Sequence, residues 1–209
     1  RPADNSMMNA TAASIWQSIG PAPTTSAFPG NWGVTSGRIN TIAVSPANAQ
    51  IVLVGGAVGG IWRSTNGGTT FAPVSDTQVD MAVGSIAFAP GNPNIVYAAM
   101  GDSKSAYMGT GVLRSADAGA TWTRVSNASF PTPAQAVKVE VDPTNSNRVY
   151  VVLQSTFANG ANGAGFFLSN DGGVSWTNTL SGMGTDLVRH PTEAATLFAA
   201  FGFVNLPNT

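Results

Sequence analysis

The sequence predicts an all-β protein, a β-propeller of four-stranded antiparallel blades present as an incomplete arc of about three and a half blades. Three observations predict it. An octapeptide recurs: Ser64-Thr65-Asn66-Gly67-Gly68-Thr69-Thr70-Phe71, Ser115-Ala116-Asp117-Ala118-Gly119-Ala120-Thr121-Trp122 and Ser169-Asn170-Asp171-Gly172-Gly173-Val174-Ser175-Trp176. Short apolar runs precede and follow each copy, so that the unit returns about every fifty residues. The 24 glycines and 13 prolines punctuate the chain, and no segment sustains a helical period.

The octapeptide has the chemistry of a tight hairpin. Asp or Asn at its third position accepts hydrogen bonds from backbone amides further on, which holds the turn. Glycine at the fifth supplies positive φ. The leading serine bonds locally, and the closing aromatic starts the return strand and buries its ring beneath the hairpin. The residues Ser64, Asn66, Gly68 and Phe71, Ser115, Asp117, Gly119 and Trp122, and Ser169, Asp171, Gly173 and Trp176 are therefore assigned to structure. A calcium loop would need six to eight oxygens from several carboxylates, and each turn carries at most one.

Taken in order, residues 1–36 are a leader with a blade-closing strand at 14–20 (Ser14-Ile15-Trp16-Gln17-Ser18-Ile19-Gly20) and a Pro/Gly/Thr loop carrying Phe28 and Trp32. Blade 1 spans 37–82, with runs at Gly37–Pro46, Ile51–Gly56 and Gly60–Ser64. Blade 2 spans 83–135, with Val83–Pro90, Ile95–Ala99 and Gly111–Ser115. Blade 3 spans 136–183, with Val137–Pro143, Val149–Leu153 and Gly165–Ser169. A partial blade 4 occupies 184–209, with Asp186–Pro191 and Thr196–Phe201. Each blade buries its faces against its neighbours. The expected partners are thus the remaining blades of the same chain, or a second copy or another protein that completes the ring.

Composition bounds the function. Nine basic and ten acidic residues give a charged fraction of only 9%, without the basic patch that nucleic acid requires. No apolar run is long enough to span a bilayer. There is no cysteine and a single histidine, His190, which sits in the pre-proline slot also held by Ser45, Ala89 and Asp142 and reads as a turn residue. Neither a metal site nor a cofactor is expected. The first residue, Arg1, suggests that a signal peptide has been removed upstream. With the low charge, this points to a secreted, extracellular or cell-surface bacterial protein.

The three octapeptides resemble the Asp-box (BNR) repeats of sialidases, xyloglucanase-type glycoside hydrolases, sortilin-type receptor ectodomains and photosystem II assembly factors. The wider pattern, Gly37-Arg38-Ile39 through Pro46 and then Val54-Gly55-Gly56-Ala57 through Ser64, is similar to secreted bacterial BNR-repeat or glycosyl-hydrolase-like proteins over residues 37–201. The resemblance implies a propeller whose Asp-box hairpins lie away from the functional face. The aromatic-Arg-Ile-Pro opening of sialidases is absent. Xyloglucanase-type enzymes place an acid ahead of a Gly-Gly-x-Tyr-Arg run, and Ala57 stands there in this chain.

On that layout, Asp76, Asp80, Asp102, Lys104, Tyr107 and the Asn159–Ala164 loop fall on the functional face. A glycosidase needs two carboxylates about 5 to 9 Å apart, and Asp102 with Asp76 or Asp80 is the candidate pair. The alternative is that Asp76 and Asp80 are solvated turn acids and Asp102 caps a loop. Trp32, Phe28, Tyr107 and Lys104 are the candidate ligand-binding residues, since rings on loops stack on sugars. Arg63 and Arg114, just ahead of the turn serines, read as hairpin supports. The expected function is a glycan- or protein-binding or scaffold module. The alternatives are a glycoside hydrolase acting on a polysaccharide, its active site completed by blades outside this sequence, and a structural component of an extracellular assembly.

Overall fold

The computed structural model describes residues 24–25, 34–35, 37–105, 107–156 and 163–203. The strand expected at 14–20, Phe28, Trp32 and residues 159–162 of the candidate loop lie outside the described residues. The chain forms two compact units, Arg1–Ser36 and Gly37–Thr209. In the first, β1 (Thr24–Thr25) pairs antiparallel with β2 (Val34–Thr35).

In the second unit, β3 (Ile39–Val44), β4 (Val52–Gly56), β5 (Ile61–Ser64) and β6 (Ala72–Pro73) make a four-stranded antiparallel sheet in sequence order. The same order repeats with β7 (Val83–Ala89), β8 (Asn92–Gly101), β9 (Met108–Ser115) and β10 (Thr123–Arg124). It repeats again with β11 (Ala134–Val141), β12 (Val149–Thr156), β13 (Gly165–Ser169) and β14 (Thr177–Ser181). A final pair, β15 (Met183–Arg189) and β16 (Leu197–Phe203), supplies two strands of a further blade.

The second and third sheets join through one bridge, Ala134 to Gly109. Backbones approach there as only glycine permits: a Cβ on Gly101 would stand 2.1 Å from the Ala134 carbonyl oxygen.

Successive blades stack face to face, and two apolar clusters fill the gaps. Leu53 and Ile61 of the first blade meet Val83, Ile86, Phe88 and Val96 of the second. Ile95, Tyr97 and Val112 of the second meet Val139, Val149 and Val151 of the third. Phe130 stacks edge-on against Trp176 at 5.0 Å between centroids. Because both faces of an inner blade are covered, its strands are apolar almost without interruption, as the sequence pattern of β8 and β12 shows.

Among the described residues the series also leaves two faces uncovered. Register places Ile42 of β3 where Ile86 stands in β7, yet Ile42 is 68% exposed and Ile86 only 6%. At the other end, Phe198 of β16 occupies the position of Tyr97 and Leu53, which are fully buried, and is 56% exposed. Each is the face that a neighbouring blade covers everywhere else in the unit.

Candidate functional site

The octapeptides close the turns from β5 to β6, β9 to β10 and β13 to β14. In the second copy the Ser115 Oγ accepts the Gly119 amide at 2.8 Å and donates to Asp117 Oδ1 at 2.7 Å. The same oxygen of Asp117 accepts the Thr121 amide at 2.8 Å. Ser64 with Asn66, and Ser169 with Asp171, repeat these bonds. Burial pushes the Asp117 carboxyl up, but bonds from the Thr121 hydroxyl and amide and the Ser115 hydroxyl outweigh it and hold its pKa at about 2. The Ser175 hydroxyl and amide hold Asp171 at about 2 as well. The carboxylates of Asp117 and Asp171 are thus spent on the turns themselves.

Trp122 and Trp176 are buried beneath their hairpins, whereas Phe71, expected to do the same, is only half-buried. Its blade is the first of the series, whose outer face no described residue covers. Arg63 Nε donates to the Ala118 carbonyl of the next hairpin at 3.0 Å, which ties the first blade to the second. His190 Nδ1 accepts the Glu193 amide at 3.0 Å, the role that Asp142 Oδ1 plays toward Thr144 in the preceding blade.

At the other end of the strands a cleft of about 450 Å³ opens. It and the hairpins are kept apart by the length of strands such as β9, about 25 Å. It is lined by residues of β3, β7, β11 and β15, the first and inner strand of each blade: Asn40 and Thr41, Gly84 and Ser85, Val137 and Lys138, Thr185 and Asp186. Asp102, Ser103 and Lys104, from the loop joining β8 to β9, and Gln154 of β12 complete the wall.

Among the candidates, the structure brings Asp102 and Lys104 to this cleft, while Asp76, Asp80 and Tyr107 are not among its lining residues. Asp102 is 1% exposed and fully engaged. One carboxylate oxygen accepts the Lys104 amide at 3.0 Å. The other is ion-paired with Arg38 and accepts the Ser105 hydroxyl. Asp80 is similarly committed, accepting the Ala82 amide at 2.9 Å and the Thr110 amide at 2.7 Å. Asp76 lies exposed in a turn. Tyr107 presents an exposed ring, and its carbonyl accepts the Asp102 amide at 2.8 Å.

Lys138 and Asp186 were outside the candidate set, as was Arg38. Lys104, Lys138 and Asp186 have no oppositely charged partner within 4.0 Å among the described residues. A signal for Lys138 and Asp186 exists in the sequence. They fall in the same column as Thr41 and Ser85, counted back from the proline that ends each inner strand, and that column is polar in every repeat. Glu140 lies beyond, its carboxyl raised by burial despite the opposing Lys138 and Arg189 charges. Among the described residues no group of three His, Cys, Asp or Glu side chains could hold a metal ion.

The family model Sortilin-Vps10, described as sortilin, neurotensin receptor 3, matches residues 59–185. A xyloglucanase of Hypocrea jecorina (strain QM6a) is 26% identical over 162 residues, which cover 71% of this chain and 18% of that protein. The crystal structure of an ancestral GH74 enzyme superposes with a TM-score of 0.54 at 30% identity, covering 69% of this chain and 18% of that one. The structure of YCF48 bound to D1 peptide superposes with a TM-score of 0.54 at 13% identity, covering 76% of this chain and 46% of that one. That likeness is one of fold. The chain therefore corresponds to about a fifth of the length of its xyloglucanase relative. The four-stranded blades are those of a β-propeller, and the described arc is part of one.

Proposed function

With the chain belonging to the Sortilin-Vps10 family, we infer that it is a segment of an exported Asp-box propeller that binds a glycan across the cleft at the inner-strand ends and does not cleave it. The observation that carries this reading is the engagement of Asp102. It is the one sequence-selected acid in the cleft, and Arg38, Ser105 and the Lys104 amide take up both of its oxygens. Glycoside hydrolysis calls for a protonated acid and a second, free carboxylate. Asp186 is the free carboxylate among the described lining residues, and a single one can hold a sugar hydroxyl but cannot complete that pair.

Relatedness to a xyloglucanase and to a GH74 enzyme supports a glycan as the ligand class. The low charge and the richness in Gly, Ser, Thr, Asn and Ala fit an exported protein. Affinity electrophoresis of the full chain through a gel containing xyloglucan, alongside an assay for new reducing ends, tests the reading. Retarded migration with no reducing sugar is expected. Release of reducing ends that is lost in Asp102→Asn without loss of folding would overturn it.

A hydrolase is the second reading, and the 30% identity to an ancestral GH74 enzyme favours it. Its second carboxylate would come from blades beyond the described arc. Reducing-end release by the full chain but not by residues 37–203 is the outcome that selects it.

A further inference from the structure

The lining of the cleft specifies more than a generic sugar. We propose that the ligand is an acidic glycan whose carboxylates are held by Lys138 and Lys104, that is, a uronate-containing polysaccharide; this rests on the glycan-binding reading.

The charge inventory carries the proposal. Four charged side chains line the cleft, and one of them, Asp102, is neutralised by Arg38. That leaves Lys104 and Lys138 against Asp186; none of the three has an ion-pair partner within 4.0 Å among the described residues, and the half-buried Glu140 carboxylate lies only near enough to Lys138 to feel its charge. Two unpaired ammonium groups on one concave surface present a standing demand for an anion. Lys138 is half-buried in the inner strand β11, and Lys104 stands exposed on the rim. A carboxylate reaching Lys138 is therefore partly removed from water, where a charge-assisted hydrogen bond is stronger.

The rest of the lining fits hydroxyl groups. Asp186 has an oxygen beyond the one that accepts the Leu187 amide, and it can receive sugar O–H groups. Thr41 and Gln154 add groups that both donate and accept. Among the described residues no aromatic ring lines the cleft, so they offer none of the flat stacking platform on which a neutral sugar usually rests. Carboxylates and hydroxyls on one extended ligand describe a polyuronate better than a neutral glucan.

Isothermal titration of the full chain with polygalacturonate, and with the same polymer after its carboxyl groups are reduced to alcohols, tests this. Polygalacturonate is expected to bind at least about tenfold tighter than its reduced form, the worth of one good charge-assisted bond, and the preference should fade as salt is raised. Lys104→Gln with Lys138→Gln should remove the preference while leaving thermal unfolding unchanged. Asp186→Asn should weaken both polymers alike and keep the preference. Equal binding of the two polymers would overturn the uronate assignment and leave glycan binding standing. Binding of neither polymer, nor of xyloglucan, would overturn both. A preference that survives the double lysine variant would remove the cleft as its site.

Discussion

A Cβ placed on Gly119 would stand 2.6 Å from Leu53 Cδ1, because the second hairpin seats directly on the second strand of the blade before it. Gly119 also holds φ at 82°. Gly119→Ala therefore combines left-handed strain with overpacking and should destabilise by about 2–4 kcal/mol. Gly67 is a useful contrast. Its φ is 67°, its nearest neighbour is Gln50 Oε1 at 3.5 Å, and the equivalent position already carries Ala118 at φ 56°. Gly67→Ala should cost only about 1–2 kcal/mol. Urea unfolding of the two variants, with unchanged m-values, measures the difference.

The hairpin acids should give the protein an acid-sensitive component. Asp117 and Asp171 are held at about 2 in the folded chain, below the ordinary 3.8. Their stabilisation is therefore complete above the unfolded value and is lost as pH falls from about 4 toward 2. Asn66 makes the same bonds without titrating, accepting the Thr70 amide at 2.9 Å and donating to the Thr70 hydroxyl at 2.9 Å. The double variant Asp117→Asn, Asp171→Asn should thus be less stable than the native chain at pH 7 and nearly equal to it at pH 2. Thermal melts between these pH values would show a flatter slope. An unchanged slope would mean that other groups dominate acid unfolding.

Asp102→Ala should damage the fold before it touches any chemistry. It strips Arg38 of its carboxylate, the Ser105 hydroxyl of its acceptor and the loop amide of Lys104 of its partner. Arg38 is exposed and can turn to water, so the loss falls mainly on the Ser105 hydroxyl and the Lys104 amide and costs about 1–3 kcal/mol. Arg38→Ala should cost less, since Asp102 keeps its two bonds from the 103–105 loop. Chemical denaturation of both variants checks the ranking, and a larger loss for Arg38→Ala would contradict it.

The exposed positions Ile42 and Phe198 should be covered in the complete protein, by further blades of the chain or by a second copy. The sequence has no cysteine, so single cysteines report cleanly. Ile42→Cys and Phe198→Cys should react with a maleimide at least about tenfold more slowly than Val79→Cys, which replaces a turn residue 95% exposed. In residues 37–203 expressed alone, all three should react alike if further blades are the cover, and the difference should persist if a second copy is. Equal rates in the full chain would mean that the arc stands uncovered.

Much of the fold was legible because blade formation is a local matter. A serine, an acid or amide and a glycine at fixed spacing satisfy one another within eight residues, so the hairpins and the strands they join can be read from one repeat at a time. The turn roles of His190 and Asp142 are readable for the same reason, since each bonds amides within three residues of itself.

The cleft was only partly legible. Asp102 and Lys104 could be picked out from their loop, but the polar column formed by Thr41, Ser85, Lys138 and Asp186 is scattered over four strands and has meaning only once those strands lie side by side. The sequence by itself determined the repeat, the antiparallel blades and the all-β class, because those follow from short-range turn geometry and alternation. The tertiary structure alone decided that Asp102 is silenced by Arg38, 64 residues away, and that the chemically identical Ile42 and Ile86 lie on opposite sides of the line between surface and core. Stacking of whole blades sets both outcomes, and which charge meets its partner or which face meets its neighbour is a long-range property that no single repeat encodes.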